Sequence, residues 1–178
     1  MPERLAEPRL VRKPSRIFVC SMSDLFNEKV TREVHEEVFA VMDRLPRHTF
    51  ILLTKRPERL VQALGGREVP ANWWLGVTAE NQARLDERWP VLASIPAAIG
   101  AVRFVSVEPM LGSVMLPWQS SVPYPSWVIC GPENGPGARR CDSFWIGELQ
   151  FHCRFHNMPF FDKRPGALVR MMPGEGWS

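Results

Sequence analysis

No stretch of this 178-residue chain stays apolar over the roughly 20 residues that a membrane-crossing helix requires. The charged start, Pro2-Glu3-Arg4, also lacks the apolar core of a secretory signal. Both absences point to a cytoplasmic protein without membrane contact. Close cysteine spacing is missing as well. Cys20, Cys130, Cys141 and Cys153 form no C-x-x-C pair, which removes the usual zinc and redox signatures. In a reducing compartment each reads as a small buried or half-buried thiol. Cys20 and Cys130 fall near the ends of expected strands, but two thiols do not make a zinc or iron–sulfur site. Neither sign of charge dominates: 22 basic and 19 acidic residues leave +3, too balanced for non-specific nucleic-acid binding by the chain as a whole. The phosphate loop G-x-x-x-x-G-K-[ST], a G-x-G-x-x-G after the first strand, H-E-x-x-H and G-x-S-x-G are all absent. Standard nucleotide, zinc-protease and hydrolase readings lose their main support.

What is present is a repeated unit, an apolar run that ends in polar residues. Ile17-Phe18-Val19-Cys20 runs into Ser21, Ser23 and Asp24; Phe50-Ile51-Leu52-Leu53 into Thr54-Lys55-Arg56; Trp74-Leu75-Gly76-Val77 into Thr78, Glu80 and Asn81. Three further runs follow, Val102 to Val107 before Glu108-Pro109, Trp127 to Cys130 before Gly131-Pro132-Glu133-Asn134, and Pro159-Phe160-Phe161 before Asp162-Lys163. The runs are continuously apolar rather than alternating, as strands covered on both faces of a parallel sheet are. Between the early runs lie helical patterns. Thr31 can cap a helix with Val34, Val38, Val41, Met42 and Leu45 on one face, ended by Pro46. Pro57 suits the first turn of the next, with Leu60, Val61 and Leu64 as its apolar face and Gly65-Gly66 as its stop. Asn81 to about Ile95 is expected to kink or divide at Pro90, and a last helix spans about Ser143 to His156 through Phe144, Ile146, Leu149 and Phe151.

These elements predict an α/β fold, either a partial parallel β/α barrel of about six strands or an open parallel sheet. Residues 1–15, broken by Pro2, Pro8 and Pro14, are expected to be irregular, 16–165 to form a single α/β domain, and 166–178 a C-terminal tail. Either architecture leaves an apolar edge at Ile17 to Val19, which predicts a homo-oligomer, a partner chain or an upstream segment that covers it. Arg9, Arg12, Lys13 and Arg16 precede that edge, as a solvated terminus or a phosphate or nucleic-acid contact. His152 and His156 have the i, i+4 spacing of a metal pair but fit a solvated helix face better. Trp73, Trp74 and Trp127 read as core, and Trp118 as an interface anchor or a packed loop residue.

Parallel strands point their carboxyl ends the same way, so the polar run ends should converge on one rim. Lys55-Arg56 and Glu108 bring opposite charges to it. Ionisable groups in one concavity suit a small-molecule site, whereas a surface salt bridge would explain them without a ligand. In the loop Gly131 to Arg139, Glu133 is a candidate for an amino or hydroxyl group and Arg139 for a carboxylate or phosphate, against the plainer reading of a structural turn.

Five blocks, Ile17 to Phe26, Leu53 to Arg56, Leu75 to Asn81, Val105 to Gly112 and Gly131 to Arg139, together closely resemble the phage gp-thirty-seven/gp-sixty-eight family, a prophage-associated group that looks like radical S-adenosylmethionine enzymes. The resemblance runs from about Arg9 to Lys163. It departs where the family's Gly-Gly-Glu-Ser stands as Gly131-Pro132-Glu133-Asn134, and its Phe-Phe-Phe-Lys-Gln as Phe160-Phe161-Asp162-Lys163-Arg164. It implies a truncated TIM-like radical-enzyme barrel, catalytically incomplete, whose rim bound or in full-length relatives binds S-adenosylmethionine and an unknown substrate. Ser21, Ser23, Asp24, Thr54, Lys55, Arg56, Thr78, Glu80, Asn81, Ser106, Glu108, Glu133 and Lys163 are expected to face that site. The family's three cluster-binding cysteines lie in a segment upstream of the part resembled, so no iron–sulfur cluster is expected on this chain alone.

Overall fold

The computed structural model describes residues 2–117 and 121–177. Six strands follow one another along the chain: β1 (Arg16–Phe18), β2 (Thr49–Thr54), β3 (Trp73–Thr78), β4 (Arg103–Val107), β5 (Trp127–Cys130) and β6 (Phe160–Asp162). Each is hydrogen-bonded to the next in sequence order, and every pair is parallel. The sheet curls into a half-barrel, so of the two expected architectures the partial barrel is the one adopted. Trp118 lies outside the described residues.

Helices α1 (Glu7–Leu10), α2 (Arg32–Asp43), α3 (Pro57–Leu64), α4 (Gln82–Ala93) and α5 (Ser143–Phe155) complete the fold. Four boundaries follow directly from local chemistry. Thr31 is the N-cap residue of α2, Pro57 opens α3, Gly65 closes α3 in the left-handed conformation (φ 59°), and the Asn81 side chain accepts the Arg84 N–H at the start of α4. Other expectations are corrected. The start is not wholly irregular: a 3₁₀ turn (Pro2–Ala6) leads into α1, where Pro8 sits in the first turn and no hydrogen bond is asked of its nitrogen. Pro90 does not divide α4, because its ring lies on the exposed side and the helix runs through it to Ala93. On α2 the buried stripe is His35, Val38, Phe39 and Met42, while Val34 is exposed. His35 belongs there because its Nε2 bonds the Leu25 carbonyl and its ring stacks on Phe39. On α5, Ile146, Leu149 and Cys153 are buried, and Phe144 and Phe151 stay exposed.

Strand alternation sorts the side chains into two cores. Leu52, Leu75, Val77, Val105, Val107, Val128 and Phe160 face the helices and join the main core with Leu60, Leu85, Trp89 and Leu149. Residues of the other parity, Ile51, Phe104, Trp127 and Ile129, form a smaller core on the concave side with Leu53, Trp74 and Phe161 against it. Gly76 sits at the centre of that side. A Cβ there would lie 2.3 Å from the Phe104 ring, so the glycine is what lets this ring lie flat across β3. The fully buried Phe104 ring meets Trp127 at 5.3 Å, and Trp127 meets Trp74 and Phe161 edge-on at 5.9 and 6.2 Å.

The two sheet edges differ. Residues 169–171 cover β6: the Val169 carbonyl accepts from the Asp162 N–H and the Met171 N–H donates to Phe160, while Trp177 donates to the Met158 carbonyl further along. At the other edge, the Ser15 carbonyl and the Val19 N–H bond β2, so Arg16 and Phe18 turn their backbone groups outward.

Gly76→Ala should therefore destabilise the fold by about 1–3 kcal/mol, because the added methyl displaces a ring held on all sides. Chemical denaturation checks this, and Phe104→Leu in the same chain should recover part of the loss.

Candidate functional site

The parity that places Ile51, Trp74, Phe104, Ile129 and Phe161 on the concave face carries on past the strand ends. It places Lys55, Thr78, Glu80, Ser106, Glu108, Gly131 and Lys163 above them. Lys55 Nζ lies 2.6 Å from Glu80 Oε1, joining the ends of β2 and β3. Lys163 Nζ lies 2.9 Å from Glu108 Oε1, and the Ser106 hydroxyl donates to Glu108 Oε2 at 2.9 Å. The second pair joins β6 to β4 across β5. It can do so because β5 is followed by Gly131: a Cβ there would come within 3.0 Å of Glu108 Oε1 and 3.2 Å of the Lys163 Cβ. The carboxylates are shielded, with 15% and 22% of the Glu80 and Glu108 side chains exposed, while the two lysines are about half exposed at 51% and 53%. The acids are thus held in place and the ammonium groups remain open to an incoming anion.

Arg88 reaches this ring from behind. It is buried on the core-facing side of α4, between Leu85 and Leu92, and donates to the Thr78 carbonyl (2.6 Å) and to Glu80 Oε2 (2.9 Å). The sequence reading missed it, although an arginine amid the apolar positions Leu85, Trp89 and Leu92 is a legible signal that a buried anion awaits. Burial alone would raise the Glu80 carboxyl above its ordinary range. Donation from Lys55 and from a backbone N–H, with the charges of Lys55 and Arg88, outweighs burial and holds it below.

The remaining expected site residues divide among other tasks. Asp24 accepts from the Thr54 hydroxyl, the Phe26 and Lys55 N–H groups and Arg56 Nη1, which ties the loop after β1 to the end of β2. Asp24, Thr54 and Arg56 therefore hold the rim in shape. Asn81 is occupied in capping α4. Ser21 and Ser23 are exposed in the loop after β1, where Cys20 is also exposed rather than buried and adopts a left-handed φ of 56°. Glu133 and Arg139 satisfy each other: the guanidinium grips both carboxylate oxygens at 2.8 Å, and the Arg139 N–H adds a third bond. This clamp pulls the Glu133 carboxyl down to about 2.

Cys130 is buried behind β5 against Met110, and its thiol is pushed up by burial and then by Cys141, Asp162 and Glu108. Among the described residues no group of three or more His, Cys, Asp or Glu is placed to hold a metal ion, and no helix is long and apolar enough to cross a membrane. His152 and His156 stand with ring centroids 6.0 Å apart, and the His156 ring lies tilted against Tyr124 at 4.7 Å. Of two surface depressions, one of about 450 Å³ lies at the end of β6 between Asp162 and residues 164–169, and one of about 550 Å³ lies between α3 and α4. Neither contains a rim lysine or glutamate.

Fold and site together define a parallel α/β half-barrel with a charged ring at the carboxyl ends of its strands. A family model described as a protein of unknown function, DUF5131, matches residues 1–173, and the chain belongs to that family. No curated protein and no solved structure matches it.

Two outcomes test the geometry. The Glu133 carboxyl carbon, followed by NMR, should titrate near pH 2 rather than near the ordinary 4.5. Because the folded value is depressed, whatever the clamp contributes is present above about pH 4.5 and fades as pH falls through 2. Arg139→Ala should return the titration to the ordinary range. Arg88→Met should cost roughly 1–3 kcal/mol in denaturant unfolding, less than a wholly orphaned buried charge because Lys55 still pairs Glu80.

Proposed function

We propose that the concave rim is a small-molecule site of the radical S-adenosylmethionine type, in a phage-related protein. The observation that carries this reading is the pair of Lys–Glu contacts, Lys55–Glu80 and Lys163–Glu108, aligned above an aromatic floor. S-adenosylmethionine carries a carboxylate, an ammonium group, ribose hydroxyls and a flat base. The exposed ammonium groups of Lys55 and Lys163 match the carboxylate, and the fixed oxygens of Glu80 and Glu108 match the ammonium or the ribose hydroxyls. Phe161 and Ile129 offer the base an apolar surface. Gly131 supports the fit, since only a residue without Cβ leaves Glu108 and Lys163 side by side.

The cysteines do not fit an iron–sulfur cluster in the same way. Cys20 is exposed after β1, Cys130 and Cys153 are buried, and Cys141 is half-buried. What this chain's residues do is bind and orient a zwitterion.

Calorimetric titration of the purified chain with S-adenosylmethionine tests the reading, with Lys55→Ala/Glu108→Ala as the control. Saturable binding that the double variant loses is expected. If the folded wild-type chain binds nothing, or the double variant binds equally well, the rim is not that site.

A further inference from the structure

The opposite end of the half-barrel, where the strands begin, carries a second surface. Arg9, Arg12, Lys13, Arg16, Arg44 and Arg47 are all exposed there, and among the described residues none of the six is paired with a carboxylate. Two acids at this end are engaged elsewhere, Glu7 with Arg4 and Asp43 with Arg67. Sequence distance separates the first four cations from the last two, and the fold unites them. Arg47 donates to the Arg9 and Val11 carbonyls. The fully buried His48 accepts the Ser15 N–H at Nδ1 and reaches the Pro8 carbonyl through Nε2. These bonds pin the segment from Pro8 to Ser15 against the start of β2, so the cations are displayed on a held surface and not on a loose end.

Aromatic groups adjoin the cations on the uncovered side. Arg16 and Phe18 share the concave face of β1, the edge strand with no neighbour beyond it. The register sets Phe18 and Trp74 on either side of Ile51, and the Arg16 guanidinium lies 5.6 Å from the centre of the Trp74 ring. Phe18 is 43% exposed and Trp74 partly so. Six unpaired cations track a chain of phosphates, and exposed rings beside them stack unpaired bases. A second copy of this chain would meet the same edge with its own positive charge, and a duplex would leave the rings nothing to stack on.

We infer that this surface binds single-stranded nucleic acid, with phosphates along Arg9, Arg12, Lys13, Arg44 and Arg47 and a base on Phe18 beside the Arg16–Trp74 pair. The inference uses none of the rim's charged residues and shares only Trp74 with the concave layer beneath them.

Fluorescence anisotropy with a labelled 20-mer oligothymidylate tests it, alongside oligouridylate, a duplex of equal length and vesicles rich in phosphatidylserine. For five phosphates neutralised, log affinity should fall with log salt at a slope of about −3.5. Arg12→Glu/Lys13→Glu should weaken binding at least about tenfold and make the slope shallower by about 1.4. Phe18→Ala should weaken it roughly 5- to 100-fold, with folding checked by circular dichroism. Arg84→Glu/Arg154→Glu, an equal charge change on the exposed faces of α4 and α5, should leave binding within about twofold. The inference is overturned by no binding at 50 mM salt, by equal loss in the two charge-reversed variants, by duplex bound more tightly than single strands, or by vesicle binding without oligonucleotide binding. Oligothymidylate and oligouridylate binding alike supports recognition through phosphate and base; preference for one adds a contact to the sugar or to the thymine methyl on the same surface.

Discussion

Parallel pairing of consecutive strands is the constraint from which the rest of this molecule follows. A parallel neighbour can be reached only by carrying the chain back across one face of the sheet, which puts α2, α3 and α4 on the outside and leaves the inside open. It also gives all six strands one direction. Apolar side chains of one parity are then committed to the helices, those of the other to the concavity, and the residues just past each strand end to a common rim. No local preference of Lys55, Glu80, Glu108 or Lys163 brings them together; strand polarity does.

Two glycines adjust this plan at different heights. Gly76 removes a side chain from the middle of the concave layer and admits the Phe104 ring, which fills a space too narrow for two side chains. Gly131 removes one from the rim and allows a lysine and a glutamate from strands that are not neighbours to meet. The same device serves packing below and electrostatics above. The ion pairs differ in setting. Glu80 is partly buried and held by Arg88 from behind, so its charge is retained against desolvation, whereas Glu133 and Arg139 meet in solvent and pair without shaping the concavity.

The two ends of the half-barrel have opposite characters. At the strand ends Asp24, Glu80, Glu108 and Glu133 each meet a base, which suits a ligand that carries both charges. At the strand starts six bases stand without a paired carboxylate among the described residues, which suits a ligand that carries one charge. The edges differ as well, since the residues around Arg170 close β6 while β1 stays open beside the cations. A charged residue on a short edge strand also discourages indiscriminate pairing with other sheets, so Arg16 guards this edge as well.

Much of this was legible in the residues. Six apolar runs without alternation, each ending in polar residues, announced parallel strands and a common rim, because burial on both faces leaves no room for a polar alternate. Thr31, Pro57, Gly65 and Asn81 marked helix boundaries through backbone chemistry that acts within a few residues. The α2 stripe was misread because His35 looks polar until its Leu25 acceptor is known, and Pro90 because its ring was free to face outward. Arg88 was overlooked although its place among Leu85, Trp89 and Leu92 was visible. The amino-acid order by itself determined strand number, direction and the chemistry available at the rim, since these depend on local pattern and on chain polarity. Only the tertiary structure decided which acid meets which base: that Glu133 turns to Arg139, that Asp24 braces Thr54 and Arg56, and that Lys163 crosses Gly131 to Glu108. Such pairings depend on sheet curvature and on the space between distant residues, and no stretch of sequence contains either.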